Sequence, residues 1–185
     1  MKQRHNIRSL ALCGLFAALL TAGAFIKISL PLQPFPMHFT LQLLFALLAG
    51  FLLGPKLGSG SVLIYLLLGL LGMPVFAAGG GPAYLLRPTF GFLIGFALTA
   101  FLTGMLAKKQ RFLSFLIAAL LGMLAYYLCG MLYFYVISNY VIHMPVTWGL
   151  VWINCFLVTV IPDTVLCVIA ALLALRLRPV TERLS

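Results

Sequence analysis

Long apolar runs, separated by short segments rich in proline, glycine or charge, make up most of the chain. A helix that crosses a membrane needs about 20 predominantly apolar residues. The runs predict six such helices, at about 9–26, 39–54, 57–72, 89–107, 112–137 and 148–175. We therefore expect an all-α membrane protein in which residues 1–185 form a single bundle of six transmembrane helices.

The composition supports this prediction, because 64% of the residues are hydrophobic and only 8% are charged. Six spans place both termini on one side of the membrane, and by the positive-inside rule the side with most basic residues is cytoplasmic. We therefore attribute the net charge of +10 to topology rather than to nucleic-acid binding, and expect a multi-pass protein of the cell membrane. The residues on the predicted cytoplasmic side are Lys2, Arg4, Arg8, Lys56, Lys108, Lys109, Arg111, Arg176, Arg178 and Arg183.

The first apolar run follows a basic head and resembles a secretory signal peptide, but its length and the spans after it predict a retained helix. Within it, Gly14, Ala18 and Ala22 recur every four residues and form a stripe of small side chains on one helix face. Helices in membranes approach each other closely along such stripes. Two alternatives stay open, packing within the chain itself or docking to a partner subunit.

The longest interruption of the apolar pattern lies within 73–96, where three consecutive glycines precede a proline, a tyrosine and an arginine. Irregular backbone at membrane depth survives where it lines a cavity or is covered by protein. We expect this loop to form a wall of a substrate pocket, with Gly80, Gly81 and Tyr84 in the site. The alternative is an ordinary external connection rich in turn-forming residues.

Lys27 and Arg87 are the basic residues that fall on external connections, beside proline-rich or glycine-rich backbone. An arginine can donate to both oxygens of a carboxylate. We expect one or both residues to bind an anionic group of a ligand. The alternative is that they anchor helix ends at the membrane interface. Segment 27–40, which carries three prolines, is predicted to be a loop.

Asp163 is the only carboxylate within the predicted spans and lies near the middle of the sixth. Ionisable residues inside a membrane are expensive and are functional candidates by default. Asn154 on the same helix and Gln42 near the start of the second span add polar groups. The pattern favours a ligand with an N–H-bearing head near Asp163 and an anionic tail, such as a small vitamin. A structural role for Asp163, protonated or paired with Arg87, is the alternative.

Several short motifs occur in a defined order. Gly72-Met73-Pro74-Val75-Phe76-Ala77 precedes glycines 79–81 and Pro88-Thr89-Phe90-Gly91-Phe92-Leu93-Ile94-Gly95-Phe96, while Phe39-Thr40-Leu41-Gln42 and Gly54-Pro55-Lys56-Leu57-Gly58 come earlier. In this combination the chain resembles the BioY family, the biotin-specific substrate-binding (S) subunits of energy-coupling factor (ECF) transporters. The similarity extends from the first span through the sixth.

The resemblance implies capture of biotin by a protein of the lipid bilayer that is not an enzyme and carries no cofactor. It also implies partners, a transmembrane coupling (T) subunit and two ATPase subunits, which drive release of the ligand inward. By similarity, Gly14, Ala18 and Ala22 would meet the coupling subunit and Asp163 would bind the ligand.

Two positions depart from the family pattern. Leu166 occupies a position where the family commonly has a lysine, and Phe90 one where it often has a glycine. One polar ligand contact is therefore missing, and we expect Arg87 or Lys27 to replace it. A different vitamin stays open as an alternative ligand.

Other functional classes find little support in the residues. The three histidines lie in the N-terminal tail and in two loops, and the four cysteines follow no metal-ligand spacing, so neither hydrolytic chemistry nor a metal site is predicted. The phosphate-binding motif GxxxxGK[ST] does not occur in the sequence, so partners must bring any ATPase. A self-sufficient proton-coupled transporter of a vitamin-like carboxylate, with Asp163 as its titrating group, is the alternative function.

Overall fold

A computed structural model describes residues 2–31 and 37–184 of the chain. In this part of the chain, helices dominate and a single β-hairpin interrupts them. The elements are α1 (Lys2–Phe25), β1 (Lys27–Leu30), β2 (Met37–Thr40), α2 (Gln42–Leu70), a 3₁₀ turn (Pro82–Leu86), α3 (Phe90–Leu106), α4 (Phe112–Val136), α5 (Trp148–Trp152) and α6 (Val160–Leu184).

The second and third predicted spans are the two arms of α2, which is sharply broken at Gly54. This residue has φ 79°, a left-handed value that glycine adopts without a Cβ clash. The arms run antiparallel, because the Gln42 side chain reaches the Tyr65 hydroxyl, while a Cβ at Gly58 would lie 2.7 Å from the Ala49 carbonyl oxygen. The predicted spans 39–54 and 57–72 leave the turn to Pro55 and Lys56, which instead begin the returning arm.

The structure corrects the prediction for segment 27–40, where β1 and β2 pair as an antiparallel hairpin instead of forming a loop. The second span therefore begins at Gln42 and not at residue 39. Lys27 lies opposite Thr40, and Ser29 lies opposite His38. Because side chains alternate between the two faces of a strand, these four polar residues share one face of the hairpin.

Two helices contain π-helical segments. In one, Ile137–Val141 extends α4. In the other, Ile153–Leu157 connects α5 to α6 through helical backbone, so that the predicted sixth span is one interrupted helix that runs beyond residue 175 to Leu184. Such segments shift the register of side chains within a helix and often occur at functional sites.

The helices pack as a bundle around α2 and α3. Helix α1 packs against α2, while α4 packs against α3, and α6 packs against both α2 and α4. Three stretches of the described chain reach the length and hydropathy of a membrane span, Gln42–Leu70, Phe112–Val141 and Val160–Pro179, although Gln42–Leu70 does so only with its two antiparallel arms counted together. Three shorter apolar helices accompany them. The prediction of an all-helical membrane bundle is confirmed.

Basic side chains separate between the two ends of this bundle. At one end, the Arg178 guanidinium donates to the carbonyl oxygen of Ala107, and the Gly54 turn packs against Gly104. Lys56, Lys108, Lys109, Arg111 and Arg176 belong to the same end, whereas Lys27 and Arg87 lie at the opposite end with the β-hairpin. The structure therefore keeps the charge separation on which the predicted topology depends.

Candidate functional site

A cavity of about 50 Å³, partly open to solvent, lies beneath the β-hairpin, and we call it the hairpin pocket. It is smaller than a typical small-molecule site, so a ligand must displace lining side chains to enter. Two of the predicted site residues, Gln42 and Tyr84, line it. The complete lining is His38, Thr40, Gln42, Ala77, Tyr84, Thr89, Phe92, Leu93, Phe96 and Tyr126.

Gln42 is the most deeply buried polar group of the hairpin pocket, with 2% of its surface exposed. Its amide nitrogen donates to the Tyr65 hydroxyl at 2.6 Å, and its amide oxygen accepts from the Thr40 hydroxyl at 3.3 Å. The Tyr65 hydroxyl in turn donates to the carbonyl oxygen of Val75 at 3.3 Å. The amide is thus held in one orientation at the start of α2, as a specific polar contact in an apolar pocket requires.

The polar face of the hairpin covers the pocket. His38 and Thr40 line the cavity, and the His38 Nδ1 lies 3.0 Å from the Ser29 hydroxyl on the opposite strand. The Lys27 ammonium donates to the carbonyl oxygen of Ala77, another lining residue. One predicted site residue, Lys27, therefore joins the hairpin to the glycine-rich loop at the edge of the pocket.

The glycines of the loop serve close packing within the protein. A Cβ on Gly80 would overlap the Met73 carbonyl oxygen, and Gly81, with φ 99°, donates its N–H to the Gly69 carbonyl oxygen at 2.7 Å. Phe76 and Gly79 exchange two backbone hydrogen bonds. Gly80 and Gly81 lie outside the pocket lining, so their role in the structure is to dock the loop onto the end of α2.

Tyr84 and Arg87 form a pair at the mouth of the pocket. Tyr84 is buried, and the Arg87 guanidinium carbon lies 4.9 Å from the centre of its ring. Burial raises the pKa of the Tyr84 hydroxyl above its ordinary value, and the nearby Arg87 charge opposes this shift. Burial lowers the pKa of His38, and the positive charges of Lys27 and Arg87 lower it further. Three basic groups therefore surround one opening.

Aromatic rings form the wall on the side of α3 and α4. Tyr126 stacks on Phe96 at a centroid distance of 5.1 Å and also contacts Phe92 at 5.1 Å. Its ring lies 5.0 Å from that of Tyr127, which does not line the pocket. Tyr126 thus joins the pocket wall to Tyr127.

Asp163 lies behind this wall, in a buried group that we call the Asp163 cluster. The carboxylate is 2% exposed and accepts a hydrogen bond from the Tyr127 hydroxyl. That hydroxyl also lies 3.0 Å from the Thr159 hydroxyl, which donates to the Cys155 carbonyl oxygen at 2.9 Å. Asn154 is buried in the adjoining π-helical segment. Neither Asp163 nor Asn154 lines the hairpin pocket.

The small-residue stripe of α1 faces outward. Gly14, Ala18 and Ala22 are exposed, whereas Ala17 and Leu20 on the other face pack into the core. No atom of the described residues lies within 4 Å of a Cβ built on Gly14. Of the two alternatives left by the sequence, packing within the chain does not use this stripe.

Sequence reasoning assigns no site role to four polar lining residues, His38, Thr40, Thr89 and Tyr126. The first two could have been found from the polar and apolar alternation of Lys27–Leu30 and Met37–Thr40, which is typical of strands. The prolines between these two segments favoured a loop instead. Tyr126 resembles any other aromatic packing residue in the sequence, since its position follows only from helix packing.

Comparisons with known proteins match nearly the whole chain to one family. The BioY family model matches residues 1–183. A probable biotin transporter BioY of Lysinibacillus sphaericus is 42% identical over 180 residues, which cover 96% of this chain and 90% of that protein. The biotin transporter BioY of Thermotoga maritima is 41% identical over 93% of this chain and 96% of its own length.

A solved structure agrees with the fold. It is the crystal structure of the S-component for biotin from an ECF-type ABC transporter, which superimposes with a TM-score of 0.81. The two chains are 28% identical, and the superposition covers 97% of this chain and 95% of the other.

Proposed function

The chain belongs to the BioY family, and we propose that it captures biotin in the membrane as the substrate-specific S subunit of an ECF transporter. The observation that carries this proposal is the match over nearly the whole chain to an S-component for biotin. It covers the α2 and α3 helices and the loop that together build the hairpin pocket. The chain is accordingly a transport protein and not an enzyme.

The lining of the pocket matches the two chemically different ends of biotin, a ring system with two N–H groups and a tail that ends in a carboxylate, once the pocket opens to admit them. Aromatic and aliphatic residues can pack against the ring and the tail, while Gln42 and Tyr84 offer polar contacts. Lys27 and Arg87 place positive charge at the mouth, where an anionic tail would be stabilised.

Asp163 is proposed to bind the N–H groups of the ligand. Its carboxylate is one aromatic layer behind the cavity, and the Tyr127 hydroxyl occupies one of its acceptor sites. Movement of Tyr126 and Tyr127 would let two ligand N–H groups replace this hydroxyl. Asn154, which is buried near the same cluster, supplies a further polar side chain. Gly80 and Gly81 contribute by holding the loop in place.

The proposed partners are a T subunit and two ATPase subunits, which supply the energy for transport. The exposed stripe of Gly14, Ala18 and Ala22 is the proposed contact with the T subunit, because a flat, small surface permits close helix approach. The basic end of the bundle would face the cytoplasm together with both termini, in the cell membrane.

Binding of radiolabelled biotin to the purified chain in detergent, without partners, tests the proposal. Saturable, tight binding is expected, because the site is contained in this chain. Absence of binding by a monodisperse preparation would contradict biotin capture, and a screen of other vitamin-like carboxylates would follow. A self-sufficient proton-coupled carrier is not favoured by the family membership.

Gly14→Leu tests the partner surface. Biotin binding should be unchanged, since the position is exposed and far from the pocket, while uptake by cells that express the partners should fall about tenfold or more because the stripe is blocked. Leu15→Ala, a change at an exposed neighbour outside the stripe, is the control. Loss of binding, or normal uptake, would remove the stripe from the docking surface.

A further inference from the structure

The structure suggests a specific role for the hairpin, an element that the sequence did not predict. Its polar face carries Lys27, Ser29, His38 and Thr40, and this face turns toward the cavity because His38 and Thr40 line it. The opposite face carries Ile28, which is 62% exposed. The hairpin therefore presents an ordered row of polar groups to whatever enters the pocket.

His38 is the only histidine, lysine or arginine among the described residues that line the hairpin pocket. The Ser29 hydroxyl lies opposite it, 3.0 Å from Nδ1. If that hydroxyl donates to Nδ1, the ring proton of neutral histidine is on Nε2, which leaves an N–H donor for a ligand. In that arrangement the cross-strand pair holds the ring in place and fixes its tautomer.

Basic groups from two further segments face His38. Lys27 comes from the paired strand, and Arg87 comes from the end of the loop, where its guanidinium packs over Tyr84. Tyr84 and Tyr126 are the other titratable groups that line the cavity. The nearest charges are therefore positive, which disfavours a proton on His38 in the empty pocket and favours an anion beside it.

We propose that His38 is a specificity-determining residue that binds the carboxylate of the ligand, with Ser29 as its positioning residue and Arg87 as its electrostatic partner. This inference rests on the proposed function, since it assigns the acidic end of biotin to the hairpin end of the pocket. It also gives the hairpin a part in distinguishing a free acid from an ester or amide.

Binding of the acid should depend on pH. Burial and, to a smaller extent, the charges of Lys27 and Arg87 lower the pKa of His38 in the empty site. A bound carboxylate would raise this pKa. The complex then binds more protons than the free protein, so affinity for the acid should increase as the pH falls toward about 6. A neutral ester brings no charge and should lack this increase.

Competition binding tests the proposal, with biotin and biotin methyl ester against labelled biotin at about pH 8 and about pH 6. For wild-type protein, the acid should bind more tightly at the lower pH. His38→Gln should weaken binding of the acid about tenfold at the lower pH and remove most of its pH dependence, while the ester binds within about twofold of wild type. Ser29→Ala should weaken acid binding less, in the same selective way.

His143→Asn is the matched control, because His143 is exposed, lies outside the pocket lining and has φ 56°, which asparagine tolerates. Ester binding by His38→Gln reports that the variant is folded. Equal weakening of acid and ester, or no weakening of either, would overturn the role of His38 while leaving biotin capture intact. Failure of the wild-type protein to bind biotin would overturn both proposals.

Discussion

In the hairpin pocket, polar side chains from strands, a loop, helix ends and α4 surround a cavity, whereas Asp163 in the first turn of α6, Thr159 just before it and Tyr127 of α4 are buried and hydrogen bond to one another. The two regions meet on α4, where the rings of Tyr126 in the pocket and Tyr127 in the cluster lie 5.0 Å apart. The two regions therefore differ in which hydrogen bonds must break before a ligand can bind. The pocket groups already face a cavity, while Asp163 must first exchange the Tyr127 hydroxyl that bonds to it.

Asp163→Asn should have the largest effect on biotin binding, because it removes the negative charge of the Asp163 cluster. If the carboxylate receives ligand N–H groups, biotin binding should weaken roughly 10- to 100-fold, the equivalent of a charged hydrogen bond worth about 1.5–3 kcal/mol. Thr164→Val, at the next position, where the hydroxyl donates to the Val160 carbonyl oxygen, is the control. Titration with labelled biotin measures the change, and unchanged affinity would exclude Asp163 from the site.

Gly80→Ala tests the packing of the glycine-rich loop beside the pocket and not the polar groups of the pocket. The new methyl group would meet the Met73 carbonyl oxygen, so the loop must shift, and we expect a loss of about 1–3 kcal/mol in the free energy of unfolding. Gly60→Ala is the control, since a Cβ there has no described atom within 4 Å. Thermal unfolding in detergent would reveal the difference. Equal melting temperatures for both variants would show that the loop is not tightly docked.

Gln42→Leu removes the one amide of the pocket and leaves the Tyr65 hydroxyl without its short donor. Biotin binding should weaken about tenfold, corresponding to roughly 1.4 kcal/mol. Gln110→Leu, an exposed glutamine between α3 and α4, is the control. An equal effect of the two substitutions on equilibrium binding would mean that Gln42 supports α2 without contacting the ligand.

Lys27→Met should have the smallest effect, since the broken hydrogen bond to Ala77 is exposed. The connection between hairpin and loop weakens, and we expect bound biotin to dissociate about two- to fivefold faster, in line with a contact worth less than about 1 kcal/mol. Chase experiments with labelled biotin measure this rate. The exposed Lys109→Met at the other end of the bundle is the control, and identical rates would make Lys27 a simple interface anchor.

The overall bundle could be predicted because membrane spans are recognised in a sequence by their length and hydrophobicity. A turn directly after Gly54 was predicted from the gap between two apolar runs, and the ends of α4 follow the apolar run closely. The hairpin could not be predicted with the same ease, because its strands have four residues each and are stabilised by cross-strand pairing. Prolines in the connecting segment favoured a loop over this local alternation.

The site was predictable in its residue types more than in its geometry. A lone carboxylate in an apolar span identifies Asp163 as unusual, and its burial agrees, but only helix packing brings Tyr127 to Asp163 and Tyr126 to the cavity. Gly80 was expected to allow a ligand to approach, yet the close neighbour is the backbone of Met73. The sequence shows where a Cβ is absent, but only the fold shows which neighbouring atom occupies that space.

The short arms of α2 have a consequence for the surrounding lipid. At about 1.5 Å per residue, residues 42–53 cover about 18 Å and residues 55–70 about 24 Å, less than the roughly 30 Å of a bilayer interior. The stretch Phe112–Val141, with 30 residues, is far longer. The bilayer must therefore thin on the α2 side and thicken, or α4 must tilt, on the other. We expect the protein to be most stable in short-chain lipids, with the membrane surface drawn in toward the ligand entrance at the start of α2.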